Sequence, residues 1–401
     1  MSKLRLRQAA PALLVTACLL ALTACGQTEY PNSTFNHNTD YNASIDALWD
    51  RLLFWGTLMF VVVEAALIYT MIKFRKRPGG PAAKPIHGHA LLEITWTAIP
   101  ALILALIAIP TVKTIFATQA PAPAGALEIE VIGHQWWWEF RYPELGIVTA
   151  NEVYVPVGRA ANFELKTIDV IHSFWVPQMG GKRDLITNKS NWMWFTPNED
   201  LGTQAWNGFC GEYCGTSHAN MKFRLYTVQP EEFASWAAHQ AKPAQVHTPG
   251  DSAAPGYVFP VADLPDHVIP KTPIPDGLTF DDALLPQGDA TRGQTAFMIG
   301  GCVGCHNVGG NAVSLPADSP LPIAGPNLTH IASRHTIAGG LFPNDPRHLA
   351  RWIKNAQKMK PGAKMNVIGK GEFDVNLQTV QTAGLDDRQI ADVVAYLMTL
   401  K

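Results

Sequence analysis

The sequence predicts a multidomain membrane protein: a two-helix transmembrane hairpin, then a small β-sandwich, then a helical C-terminal domain. Three observations carry this. Residues 52–72 and 94–116 are apolar runs, each long enough as helix to cross a hydrocarbon core about 30 Å thick. Between 126 and 228, short segments such as 127–132 and 162–167 alternate polar and apolar residues, with Pro and Gly marking turns, as in a small sandwich. Near the end, Ile390, Val393, Val394, Leu397 and Leu400 fall at helical spacing and make one buried stripe.

At 401 residues the chain has room for two or three domains. Its 31 basic and 33 acidic residues nearly cancel, so its charge gives no reason to expect nucleic acid as a partner. Residues 1–24 read as an export signal: Lys3, Arg5 and Arg7 precede an apolar stretch that ends in L-T-A-C at Cys25. That ending resembles a bacterial lipobox, which implies cleavage before Cys25 and a lipid on its thiol. Residues 25–47 then begin outside the cytoplasm.

The hairpin occupies 48–118. Lys73, Arg75, Lys76, Arg77 and Lys84 lie between its two spans, and the positive-inside rule puts that loop in the cytoplasm and both long flanks on the outer face. Pro100 and Pro110 in the second span each remove a backbone donor, which a membrane helix tolerates when neighbours satisfy the freed carbonyls. Glu64 falls near mid-membrane, where an ionisable side chain suggests function. Glu93 opens the second span, where a carboxylate suits the positive end of the helix dipole.

Within 207–221, Cys210, Cys214, His218 and Met221 crowd one loop, and His172 lies upstream in D-V-I-H-S-F-W-V-P. Thiolate, imidazole and thioether are the donors that soft copper prefers. On spacing alone, a Cys210–Cys214 disulfide and a structural zinc held by both Cys, His218 and His172 stay open. Trp136, Trp137 and Trp138 form a run that strand alternation cannot bury on one face, and core or interface packing is its ordinary use.

Residues 230–285 are rich in Pro and Ala without hydrophobic period, the composition of a semi-extended linker that lets the next domain swing or dock. The C-terminal domain, 286–401, opens with C-V-G-C-H at 302–306. Cys302 and Cys305 would form thioethers to haem c and His306 would bind its iron; a thioredoxin-like pair or a zinc site is the alternative use of such a motif. The second axial ligand must come from downstream, where Met359, Met365 and Met398 are the candidates.

The pattern C-x-E-x-C-x-x-x-H-x-x-M at 210–221, the segment around His172 and G-H-Q-W-W-W at 133–138 resemble subunit II of haem-copper cytochrome c oxidases across about 49–228. The resemblance implies a cupredoxin-like Greek-key sandwich holding dinuclear copper A. Cys210 and Cys214 would bridge two coppers, His172 and His218 would each bind one, and Met221 and the Glu212 carbonyl would be weak outer ligands. It also implies that the Glu212 side chain helps hold Mg at the border with subunit I, and that electrons from cytochrome c enter at Trp136, with Trp138 left for packing. Glu93 falls where the family places the entrance of a proton path.

M-K-P-G-A-K-M at 359–365 resembles the distal loop of class I cytochromes c, an all-α fold, and points to Met365 as the axial ligand. Asn366 replaces the Pro that commonly follows. G-P-N-L at 325–328 resembles the loop whose Pro carbonyl orients the haem His. The whole chain therefore resembles the fused subunit II of caa-type oxidases. That implies a relay from soluble cytochrome c through haem c and copper A to haem a of a subunit I that also holds copper B, with subunit III beside it, in the bacterial inner membrane. A copper-A nitric oxide reductase subunit, a free-standing membrane-anchored carrier and a copper-delivery protein are the rival readings.

Overall fold

A computed structural model describes residues 30–80, 85, 87–244, 257–308 and 325–401. The signal segment and Cys25 lie outside these residues, as do Lys84 and parts of the proposed linker.

Two long helices come first, α1 over Asp40–Lys73 and α2 over Ala90–Thr118. Both are apolar enough to cross a membrane, and their faces are exposed in the isolated chain. Pro100 and Pro110 sit inside α2 without ending it. α1 starts twelve residues before the apolar run because Thr39 caps it: the Thr39 hydroxyl accepts from the Asn42 N–H at 3.1 Å. The same turn is tied to the sandwich. Thr39 donates to the Met179 carbonyl, Asn42 Nδ2 donates to the Pro177 carbonyl, and Asp40 accepts from the Thr196 N–H.

Ten strands follow: β1 Leu127–His134, β2 Trp137–Tyr142, β3 Ile147–Ala150, β4 Glu152–Pro156, β5 Ala161–Thr167, β6 His172–Trp175, β7 Arg183–Leu185, β8 Asn191–Phe195, β9 Gln204–Cys210 and β10 Lys222–Val228. They form two five-stranded sheets, ordered β3-β2-β1-β5-β8 and β4-β10-β9-β6-β7. β1 with β5 and β4 with β10 pair parallel, the other pairs antiparallel. Between the sheets lies an aromatic core in which Trp138, Phe140, Phe163, Phe174, Phe195 and Phe223 are fully buried. Gly208 is required there, since a Cβ would stand 2.3 Å from the Phe223 ring.

The segment expected to be a linker is only partly one. Its first residues form α3, Pro230–Gln240, whose Phe233, Trp236 and Ala237 enter the sandwich core; the Trp236 ring stacks on Tyr154 at 4.7 Å. Phe259 and Val268 join the same core, while Leu278 and Phe280 belong to the next one. Apart from the one short helix, the apolar positions are single anchors, Phe259 and Val268 in one core and Leu278 and Phe280 in the next, so they leave little period for a sequence window to detect. The domain that follows docks on the sandwich.

That domain is built on α4, Ala290–Ile299, crossing α7, Asp387–Leu397, with α5, Pro346–Lys354, and the short α6, Ala356–Met359, against them. Asp392 on α7 binds Arg292 on α4 through two oxygens at 2.8 Å. The helices touch at Gly293, where a Cβ would lie 1.8 Å from the Asp392 carbonyl oxygen. Gly293→Ala must therefore force the crossing apart. It is expected to destabilise this domain by at least about 1–3 kcal/mol, measurable as an earlier thermal transition, while the sandwich transition stays in place.

Candidate copper and haem sites

The copper-type donors converge at one edge of the sandwich. β6 brings His172, β9 ends at Cys210, and the loop into β10 brings Cys214, His218 and Met221. The two sulfurs lie 3.7 Å apart as free thiols, well beyond the ~2.05 Å of a disulfide bond. Around Cys210 Sγ stand His172 Nδ1 at 3.8 Å and the Glu212 carbonyl oxygen at 3.2 Å. Cys214 Sγ has His218 Nδ1 at 3.6 Å and Met221 Sδ at 3.8 Å. Each sulfur thus has one imidazole and one weaker donor, a symmetric set of the soft kind that copper prefers.

Electrostatics agree with a cation site. The hydrogen bond between the two thiols holds the Cys210 thiol far below its ordinary range and pushes Cys214 far above it. Two thiolates so close need positive charge between them, so metal binding and loss of the second proton go together. Asp169 orients the first imidazole, with His172 Nε2 at 2.9 Å from its carboxylate, leaving Nδ1 to face the sulfur. Burial alone would lower the His172 pKa, but its bonds to Asp169 and Cys210 raise it. Gly133 makes room for this ring: a Cβ there would sit 2.6 Å from it. Asp169 stands three residues before His172, and nothing local in the sequence marks it as the partner of that ring.

The tryptophan run resolves by position. Trp138 on β2 is buried in the core, Trp137 stacks on His134 at 3.9 Å, and Trp136 occupies the turn between β1 and β2. The Trp136 indole N–H donates to the Cys214 carbonyl at 2.9 Å, and Gln135 Nε2 donates to the same oxygen at 2.8 Å.

The second site is a cavity of about 420 Å³ in the C-terminal domain. Cys302 and Cys305 reach it as free thiols, and His306 and Met365 line it together with apolar residues such as Leu349, Ile353 and Val393. The His306 ring donates through Nδ1 to the Pro326 carbonyl at 2.8 Å, which leaves Nε2 to serve as a ligand. Gly325 is needed beside it, since a Cβ would come within 2.5 Å of the ring. Met359 packs in the domain core instead, 3% exposed. Two thiols, one oriented imidazole, one thioether and apolar walls fit a covalently attached haem.

Arg334, which the sequence reading did not single out, also lines the cavity. Burial pushes its guanidinium down to about 10, and the Asn327 carbonyl accepts from it. A buried cation in this wall suits a carboxylate of the haem.

Gln135, Trp136, Trp137 and Asp169 of the sandwich also line this cavity. The seam between the domains is polar and buried. Glu152 of β4 accepts from the His335 N–H and the Thr336 N–H, both at 2.8 Å, and from the Thr336 hydroxyl at 3.1 Å. Arg224 of β10 donates to the Gly340 carbonyl at 3.2 Å and the Val268 carbonyl at 2.8 Å. Lys360 donates to the Trp136 carbonyl at 2.6 Å, and burial pushes its pKa down to about 7.

Glu93 lies at the start of α2, where its carboxylate accepts from the His89 N–H at 3.1 Å, the geometry of a helix-start charge. The Glu212 side chain is exposed beside the copper loop and accepts from the Tyr213 N–H at 3.1 Å.

Fold and sites together define a membrane-anchored redox protein in which a cupredoxin-like domain and a cytochrome c domain share one chain. Family models match residues 35–114 as cytochrome c oxidase subunit II, transmembrane domain, residues 146–228 as its periplasmic domain, and residues 290–401 as cytochrome c. The chain is 33% identical over 350 residues to cytochrome c oxidase subunit 2 of Alkalihalophilus pseudofirmus, a match covering 86% of this chain and 83% of that one. It is 30% identical over 340 residues to the subunit 2 of Bacillus sp. strain PS3, covering 82% and 80%. Among solved structures, the periplasmic domain of cytochrome oxidase subunit II from Bradyrhizobium japonicum is 32% identical, covering 30% of this chain and 96% of that one with a TM-score of 0.28. The chain belongs to the cytochrome c oxidase subunit 2 family, in a form that carries a C-terminal cytochrome c domain. It is accordingly an electron-transferring component of a haem-copper oxidase, partnered with a catalytic subunit and provided with copper A and haem c.

Proposed function

We propose that this chain receives electrons from a soluble cytochrome c on the outer face of the membrane and delivers them to haem a of subunit I, where oxygen is reduced to water with proton pumping. Cys302, Cys305, His306 and Met365 would hold haem c, and His172, Cys210, Cys214, His218, Met221 and the Glu212 carbonyl would hold two coppers; these groups would supply the one-electron chemistry. The observation that carries this reading is the placement of Trp136: it lines the cavity that holds Cys302, Cys305 and His306, and its indole is bonded to the carbonyl of Cys214.

The protein's part is to fix geometry and keep water away. Asp169 and Pro326 orient the two imidazoles through their second nitrogens. Trp138, Phe174 and Phe223 dry the sandwich behind the copper loop. The docked domain covers Trp136, so an external donor is expected to meet the haem domain rather than the indole. On this reading the cytoplasmic basic loop sets both redox domains outside, Cys25 carries a lipid, Glu93 marks the mouth of a proton path, Glu212 contributes to a Mg site facing subunit I, and subunit III completes the complex.

Purifying the complex from its membrane and recording reduced-minus-oxidised optical and electron paramagnetic resonance spectra tests this. Haem c, a mixed-valence copper pair and haem a are expected together, all reduced on adding reduced cytochrome c. A preparation in which this chain comes without haem a, or with a large subunit that reduces nitric oxide, would overturn the proposal.

A further inference from the structure

The turn that leads to Met365 does more than present that thioether to the cavity. Lys360 begins it, and the side chain is 3% exposed. Its ammonium donates to the Trp136 carbonyl at 2.6 Å and to the Ala338 carbonyl at 3.1 Å, one acceptor from each domain. Among the described residues no carboxylate lies within 4 Å of it to form an ion pair. An ammonium buried against neutral carbonyls is an expensive arrangement, and two lysines exposed at the surface would join the domains at less cost.

What the arrangement secures is the conformation of Trp136. Two glycines flank its ring: a Cβ on Gly215 of the copper loop would stand 3.1 Å from the indole Cζ2, and one on Gly362 of the Lys360 turn 3.1 Å from Cζ3. The indole N–H is fixed on the Cys214 carbonyl, and Lys364 of the same turn places its ammonium 6.0 Å from the ring centre. The ring is therefore held on one edge by the copper loop and on the other by the haem domain, with its main chain pinned by Lys360.

We propose that Lys360 is a positioning residue for electron transfer, holding the Trp136 main chain so that the indole stays seated between the haem cavity and the copper loop. This rests on the reading that electrons cross at Trp136. Lys360 lines the haem cavity and its charge is felt at Cys214, but it makes no hydrogen bond to the copper donors or the cavity thiols; its bonded contact with the relay is the Trp136 carbonyl.

The test uses the intact purified complex. After photochemical reduction of the haem domain, the rate of electron arrival at copper is followed optically in wild type, Lys360→Met, Lys360→Arg and Glu152→Gln. Haem and copper contents and spectra are first matched to wild type. Lys360→Met is expected to slow transfer about tenfold or more, since displacing a reacting group by about 1 Å carries penalties of that order. Lys360→Arg, which keeps a cationic donor, is expected to recover most of the rate. Glu152→Gln loosens the seam away from Trp136 and is expected to stay near wild type.

Wild-type rates in an assembled Lys360→Met complex would overturn the proposal. So would equal slowing in Glu152→Gln, which would reduce Lys360 to a docking contact. If Lys360→Met does not assemble, an assembled Lys360→Arg complex that transfers slowly overturns it in the same way. A wild-type complex with no transfer from haem to copper would instead sink the underlying reading of Trp136.

Discussion

Replacing Cys210 with serine is expected to strip both coppers from the chain while leaving its haem attached. Cys210 Sγ is the atom that joins the two halves of the site, with Cys214 Sγ, His172 Nδ1 and the Glu212 carbonyl all within 3.8 Å. A serine hydroxyl is a hard donor, and it stays protonated where a thiol between cations would ionise, so it bridges nothing. The remaining donors divide into a lone His172 and the Cys214–His218–Met221 group, too few to hold a pair. Copper affinity is expected to fall by more than about 100-fold, beyond the 10–100-fold losses typical of second-layer changes, and copper content with it. Metal analysis and loss of the mixed-valence copper signal check this, with the haem spectrum as the internal standard. A serine variant that keeps a copper pair would show that the two sulfurs are not the bridge.

Met365→Ala and Met359→Ala are expected to separate two methionines that the sequence leaves side by side. Met365 lines the cavity that holds Cys302, Cys305 and His306, so its loss should open one axial position. The haem should then bind carbon monoxide readily and its potential should drop, since a thioether ligand is what raises it. Met359 is packed in the core of the same domain, so its truncation should leave the haem spectrum alone and cost about 2–5 kcal/mol of stability. Carbon monoxide titration, a redox titration and thermal melting distinguish the two. Carbon monoxide binding confined to Met359→Ala would reverse the assignment.

The parts that the sequence announces are those whose chemistry sits within a few residues. C-x-x-C-H and the 210–221 loop hold most of their own donors, and the two apolar runs need only their length and composition. Strand alternation does not tell Trp136, Trp137 and Trp138 apart, and only the family resemblance separates Trp136 from Trp138; the turn at 135–136 and the register of β1 with β2 give each a different neighbourhood, which no local pattern records. Lys360 and Glu152 were invisible for a plainer reason. Their partners stand 224 and 184 positions away, and one charged residue on a helix end or strand carries no sign of which carbonyl or N–H it will meet. The docking of Pro230–Gln240, Phe259 and Val268 was hidden too, because one short helix and two single pegs stand far apart in a Pro-rich stretch.

The extended first helix carries a mechanical consequence. Thirty-four residues of α1 span about 51 Å at 1.5 Å each, against about 30 Å of lipid hydrocarbon. With the apolar run in the bilayer, its first turns would stand clear like a mast, and Thr39, Asp40 and Asn42 bolt that mast to the sandwich. A lean of the hairpin would then be carried upward as a swing of the copper loop. A neighbouring subunit that grips only the membrane part can therefore set the heading of the metal centre from below.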